Sequence, residues 1–284
     1  MIPVLRTIPE ARRWVQATRS TGKTLGLVPT LGYLHEGHLS LIRRSRQRCE
    51  RTLVSVFLNP TQFAPGEDFE RYPRDWERDL ALLTAENADA VFHPEAAEMY
   101  PQTGLVSVCV GALGERLCGA SRPGHFQAVA TVVAKLFHIL QPDRAFFGQK
   151  DAQQALIIRQ MVRDLNFPVE IEVCPTVREP DGLARSSRNA YLSAEERAHA
   201  TVLYRALSLA ETLARNGTRD VAVLEQRMRE LIQATPGAAL DYARVVDPET
   251  LADLREVRGR ALAAVAVRFG KTRLIDNQWL VVSG

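Results

Sequence analysis

The sequence predicts an α/β protein in two parts: a parallel sheet with helices on both faces, then a smaller α+β domain. Three observations carry that expectation. Short apolar and β-branched runs alternate with helical patterns through roughly the first 175 residues. Strands separated by helices of this length imply right-handed crossovers, and hence a sheet buried on both sides. Beyond that point two long helical patterns are followed by three strand-like runs. The 284 residues agree with a prior of about two domains, drawn at residues 1–175 and 176–284.

Taken in order, residues 24–28, 52–58, 90–92, 144–147 and 169–173 read as buried strands. Between them, 38–49 places Leu39 and Ile42 on one face and a string of arginines on the other. Residues 76–86 carry Leu80 and Leu83, and 126–140 and 152–165 are apolar at helical spacing. Glu179-Pro-Asp-Gly182 is a turn, because proline fixes φ and glycine permits the positive φ that follows. Ser193-Ala-Glu-Glu196 has the spacing of a capping box, opening one long helix to about Asn216. A second helix covers 221–234, and strands 241–246, 260–268 and 272–276 close the chain.

Composition excludes several classes. With 46% hydrophobic and 24% charged residues the chain is neither disordered nor fibrous. A net charge of +3 is too small to predict binding to nucleic acid or membrane. Arg43-Arg-Ser-Arg-Gln-Arg48 spreads its charges around the outer face of a helix and reads as solvated surface. Cys49, Cys109, Cys118 and Cys174 contain no C-x-x-C pair and read as reduced, mostly buried thiols. No apolar leader opens the chain, and the longest apolar run, 261–267, is far short of the ~20 residues of a spanning helix. A cytoplasmic protein is expected.

The informative stretch is Leu27-Val-Pro-Thr-Leu-Gly-Tyr-Leu-His35-Glu-Gly-His38. A buried strand ends, a glycine-containing loop follows, and a helix begins. In a parallel sheet ligands bind at such junctions, and a helix start offers backbone N–H groups and a positive dipole end to an anion. His35 and His38 can donate to phosphate oxygens; the alternative, a pair of metal ligands, lacks a third His or Cys nearby. Asn59-Pro-Thr-Gln62 follows another strand, where an amide reaches a ligand or Asn59 merely starts a turn. Gly148-Gln149-Lys150-Asp151 again joins strand to helix. There Lys150 neutralises phosphate charge, Asp151 caps the helix or binds a ribose hydroxyl, and Gln154 lies one turn on.

His35-Glu-Gly-His38 resembles the HIGH signature of the nucleotidylyltransferase superfamily. The wider string from Pro29, together with Val54–Phe63, Arg71-Tyr-Pro-Arg74, Arg122-Pro-Gly-His-Phe126, Phe147-Gly-Gln-Lys-Asp151 and Ser186-Ser-Arg-Asn-Ala-Tyr-Leu-Ser193, is similar to the pantoate–β-alanine ligases. Order and spacing agree from Pro29 to Ser193. The resemblance implies a Rossmann-like first domain, ATP lying between the two domains, and a condensation of (R)-pantoate with β-alanine through a pantoyl adenylate.

It also implies site residues. ATP contacts fall on Leu31, Gly32, Tyr33, Leu34, His35, Glu36, Gly37 and His38. Gly148, Gln149, Lys150, Asp151 and Val177 follow, then Arg185, Ser186, Ser187 and Arg188 on a loop that closes over the nucleotide. His38 is the family's proton donor, acting with His35 and Lys150 on phosphate charge. Gln62 serves pantoate and β-alanine, Gln154 serves pantoate, and Asp79 positions Mg²⁺. Arg122 and His125 match a family string. Leu31 and Arg185 both stand where the family usually has Met. The family also implies a homodimer. Two other readings are a transferase acting on a phosphate acceptor and a non-catalytic nucleotide- or RNA-binding module; Gln62 and Gln154 with the Asn-Pro loop speak for a small polar acid against the first, and the presence of both histidines with Lys150 speaks against the second.

Overall fold

The computed structural model describes residues 2–102, 104 and 106–282. They form two compact units. The first comprises Met1–Gly114, Arg122–Gln149 and Gln153–Pro175; the second comprises Thr176–Gly284 with two short segments, Glu115–Ser121 and Lys150–Ala152. Those two segments therefore leave the first 175 residues and group with the second unit.

The first unit is built on β1 (Val4–Leu5), α1 (Ile8–Arg19), β2 (Leu25–Thr30), α2 (Glu36–Arg48), β3 (Arg51–Val56), α3 (Trp76–Ala85) and β4 (Ala90–Phe92). It continues through α4 (His125–Leu140), β5 (Arg144–Gly148), α5 (Ala152–Asp164) and β6 (Glu170–Cys174). All six strands run parallel in the order β1-β4-β3-β2-β5-β6. From β2 the chain moves outward through β3 and β4, then returns to lay β5 and β6 on the other side. Right-handed crossovers in opposite directions place their helices on opposite faces. Accordingly α2 and α3 cover Val28, Val54 and Val91 on one face, and α1, α4 and α5 cover Leu27, Leu53 and Ala145 on the other.

The reversal occurs between β2 and β5. These strands pair only at Gly26–Arg144 and Leu27–Ala145, whereas β2 pairs with β3 along its whole length. Pro29, which has no N–H to donate, falls past the β5 pairing, where it is tolerated. Beyond Leu27 the two strands part, and the crevice at their carboxyl ends is the topological switch point of the sheet. The sequence pattern missed β1, which has two residues, and α1, whose start is fixed by a capping box between Thr7 and Glu10.

The second unit holds α6 (Ala194–His199), α7 (Val202–Arg215), α8 (Val221–Gln233), β7 (Ala238–Val246), β8 (Arg260–Phe269) and β9 (Thr272–Val281). The strands form an antiparallel sheet in the order β7-β8-β9. Leu203, Leu207, Leu224 and Met228 of α7 and α8 pack on Ala263, Val265, Val267 and Phe269. The apolar run 261–267 is thus the buried centre of β8. The Ser193–Glu196 capping box forms, but the single long helix breaks into α6 and α7. A bond spanning only three residues, from the Leu203 N–H to the Ala200 carbonyl at 3.3 Å, marks the break. Strand β9 runs on to Val281 rather than stopping at Asp276, because Asp276 and Asn277 are buried within the pairing to β8. No helix among the described residues is long and apolar enough to cross a membrane.

Candidate active site

The loop from β2 to α2 is held almost entirely by backbone amides. The Thr30 hydroxyl donates to the Ser55 carbonyl at 2.9 Å and accepts from the Gly32 N–H at 3.2 Å. Gly32 has φ +88° and Tyr33 φ +52°, two successive left-handed residues that curl the chain. The next two amides, of Tyr33 and Leu34, both donate at 2.7 Å to the carboxylate of Asp79 on α3. Asp79 is 2% exposed, and burial pushes its carboxyl above the usual range, outweighing the two amides and the nearby Arg78.

His35 then caps α2. Its Nδ1 accepts from the Gly37 N–H at 3.1 Å, and His38 Nδ1 accepts from the His35 N–H at 3.3 Å. The result is a capping box made by two imidazoles, stacked with ring centroids 4.1 Å apart. This corrects the expectation of free amides at the helix start: the N–H groups of His35 and Gly37 are already taken by side chains. The same bonds settle the tautomers. A neutral imidazole that accepts at Nδ1 carries its proton on Nε2. The histidines therefore exchange backbone donors for two Nε2–H donors at the positive end of the helix. Glu36 is tied along the helix to Arg43.

Gln62 ends a short turn, Pro60–Gln62, capped by Asn59, whose Oδ1 accepts from the N–H and hydroxyl of Thr61. Asn59 also donates to Gln62 Oε1 at 3.2 Å, and both residues are buried. Asn59 is thus a turn former and a positioner of Gln62. The Gln62 carbonyl accepts from His125 Nδ1 at 2.9 Å and from Arg122 at 3.3 Å. Arg122 meets Glu67 in a bidentate pair, both contacts 2.6 Å. Burial raises the Glu67 carboxyl, but the Arg122 hydrogen bonds and charge prevail and hold it below its ordinary value.

The imidazole pair follows β2 and the clamped glutamine follows its parallel neighbour β3, so both loops leave the carboxyl edge of the same sheet. The chain matches the model of the family described as pantoate-beta-alanine ligase over residues 3–279. The chain belongs to the pantoate–β-alanine ligase family. It is 54% identical over 275 residues to the pantothenate synthetase of Syntrophomonas wolfei, covering 96% of this chain and 98% of that one. The crystal structure of pantothenate synthetase from Thermus thermophilus superposes with a TM-score of 0.94 at 49% identity, covering 99% of this chain and all of the other. The Francisella tularensis pantoate-β-alanine ligase, solved with a β,γ-ATP compound and β-alanine, gives 0.80 at 32% identity, covering 98% and 97%.

The other residues expected of a pantoate–β-alanine ligase are placed as follows. Leu31 is half-buried at the end of β2. Gly148 closes β5 opposite Cys174, and a helical turn already begins at Gln149. Asp151 consequently lies inside the first turn instead of capping it, 3.5 Å from Lys150 Nζ. Gln154 is half-buried on α5, beside Gln153, which donates to the Leu113 carbonyl at 2.8 Å.

In the second unit, Asn277 Nδ2 donates to the Lys150 carbonyl at 2.9 Å. The Val177 carbonyl accepts the Arg185 N–H at 3.0 Å, closing a small hairpin over the Pro180–Gly182 turn. Gly182 is required there twice over: its φ is +93°, and a Cβ would sit 2.0 Å from the Tyr204 ring. Arg185 turns its guanidinium to Glu179 at 2.9 Å. Ser186 accepts from the Arg188 N–H at 3.3 Å and caps a turn that contains buried Ser187.

Asp79 is the residue whose place differs most from expectation. Both its oxygens hold the loop, and no three His, Cys, Asp or Glu side chains among the described residues gather as metal ligands. The sequence pattern also passed over Glu67 and the Arg178–Asp276 pair, with contacts of 2.6 and 3.1 Å. Their partners lie 55 and 98 residues away, so no local signal exists. The four cysteines are free thiols, with Cys109 alone exposed. Burial pushes Cys49 and Cys174 up to about 11.

Proposed function

We propose that this ligase joins (R)-pantoate to β-alanine in two steps at one site. In the first, a pantoate carboxylate oxygen attacks the α-phosphorus of ATP, and the bond to pyrophosphate breaks. In the second, the β-alanine amine attacks the acyl carbon of the pantoyl adenylate, AMP leaves, and the amine loses a proton. The Francisella relative's ligands support ATP and β-alanine as substrates.

The observation that carries the reading is the double-imidazole cap at the end of β2. Both Nε2–H groups are fixed donors, so they stabilise charge on phosphate oxygens with little reorganisation. His38 is assigned as the main donor, with His35 and Lys150 adding charge stabilisation. The nucleotide is assigned further contacts along 31–37, at 148–151, at Val177 and at 185–188, where the Ser186–Arg188 turn covers it and limits hydrolysis of the adenylate. Gln62, fixed by Asn59, is assigned to pantoate and β-alanine, and Gln154 to pantoate. Among the described residues no three His, Cys, Asp or Glu side chains gather at this site; Mg²⁺ is assigned to the phosphates of the incoming ATP, as is common for this cation. A homodimer is part of the same reading, and sedimentation tests it.

The test is exchange of labelled pyrophosphate into ATP. Exchange that requires pantoate and proceeds without β-alanine supports the reading. Exchange driven instead by a phosphorylated acceptor overturns it.

A further inference from the structure

Asp79 sits in the first turns of α3, on a segment that contributes no other group to the proposed site. Its surroundings are specific. Gly32 and Tyr33 both have positive φ, and the turn they make brings the Tyr33 and Leu34 amides to one carboxylate. That carboxylate is Asp79, with the two amides on separate oxygens at 2.7 Å each. The fit is close from both sides. A Cβ at Gly32 would lie 3.3 Å from Asp79 Oδ2 and 3.2 Å from Val56, and the Arg78 guanidinium lies over the Tyr33 ring, 5.2 Å from its centroid. A tyrosine with positive φ is strained and persists only where its surroundings impose it.

The next amide along the chain, that of His35, is the one His38 Nδ1 accepts, and the Gly37 amide is the one His35 Nδ1 accepts. Fixing 33 and 34 therefore fixes the entry angle of α2 and the directions of both Nε2–H bonds. We propose that Asp79 is a positioning residue for adenylation, acting through the Tyr33 and Leu34 amides on the His35–His38 pair and not through a metal ion. This rests on the ligase reading above.

An asparagine at this position keeps one acceptor and turns an NH₂ group toward the other amide. Since a misplacement of about 1 Å can cost ~10²-fold, Asp79→Asn is expected to slow pantoate-dependent pyrophosphate exchange by about 10- to 100-fold. The half-saturating Mg²⁺ concentration stays at the wild-type value. Reaction of supplied pantoyl adenylate with β-alanine slows far less, and Asp79→Glu recovers part of the exchange. Unchanged exchange in Asp79→Asn, exchange restored by excess Mg²⁺ or Mn²⁺, or equal slowing of both steps each overturns the proposal. Hydrogen exchange on the wild-type protein gives a check independent of any variant: the Tyr33 and Leu34 amides should be protected, and exchange at open-loop rates would also overturn it. Wild-type protein without pantoate-dependent exchange would instead refute the ligase reading, leaving the amide measurement to judge Asp79.

Discussion

Two loops, one in each unit, depend on a buried aspartate, and the two are held in different ways. In the first unit Asp79 binds two backbone amides directly, with the nearest guanidinium contact, Arg78, at 4.0 Å. In the second, Asp276 binds Arg178, and Arg178 in turn donates to the Gly182 carbonyl at 3.0 Å. The Arg178 guanidinium also lies over the Tyr204 ring, 4.7 Å from its centroid. Burial raises both carboxyls, in Asp276 despite the arginine. The difference is in what each removal strands. Without Asp79 two amides lose acceptors within a short loop; without Asp276 a guanidinium loses its counter-charge. The first loop is therefore tuned for direction, the second for cohesion.

The largest expected effect follows from that contrast. Asp276→Asn leaves Arg178 without its ionic partner, and breaking a buried pair from one side costs about 3–5 kcal/mol. The second unit should melt at markedly lower temperature, read by calorimetry. Replacing Arg178 as well, by Met, should recover part of the loss, since an apolar side chain of similar size leaves no stranded charge. A double variant no more stable than Asp276→Asn would show that the pair does more than balance charge.

At the first loop the expected order is reversed, with activity suffering more than stability. His38→Ala removes a helix-capping acceptor, worth about 1 kcal/mol, and the proposed proton donor, worth ~10²-fold or more in rate. Turnover should fall by at least about 2.7 kcal/mol in activation free energy while the melting temperature moves little. Unchanged turnover would remove His38 from the chemistry.

The same contrast explains what the sequence disclosed. The parallel sheet, the helix starts and the strand–loop–helix junction at 27–38 have local signatures, because apolar periodicity and turn chemistry are properties of neighbours in the chain. His35 and His38 are legible for that reason. Their detailed role is not, because a helix start suggests open amides, whereas these two rings close it on themselves. Asp79 lies 45 and 46 residues from the amides it accepts, so its sequence neighbourhood reads only as an acidic residue early in a helix. A carboxylate near a phosphate site invites a metal assignment; only the fold reveals that both oxygens are occupied. The sequence pattern stops strand β9 short for a related reason, since Asp276-Asn277-Gln278 looks like a loop until its buried partners are seen.

A third carboxylate sharpens the comparison through pH. Glu67 pairs with Arg122 as Asp276 pairs with Arg178, but Glu67 is only half-buried, and the arginine prevails over burial. The signs then oppose one another. A carboxyl raised on folding binds its proton more tightly in the native state, so its contribution is full below the unfolded pKa and declines as pH rises through the folded one. A lowered carboxyl contributes above its ordinary value, 4.5 for Glu67, and that contribution is lost as pH falls through its lower folded pKa. Acid should thus release the Arg122–Glu67 clamp, and with it the Gln62 turn, whereas protonation of the raised Asp79 and Asp276 withdraws no stability. Hydrogen exchange corrected for its intrinsic pH dependence is the measurement. Amides of 60–68 should keep their protection down to about pH 4.5 and lose it below, while those of 33 and 34 stay protected. In Glu67→Gln the 60–68 segment should exchange at its acid rate even at neutral pH; a pH-independent pattern in the wild-type protein would place the clamp's strength in packing rather than charge.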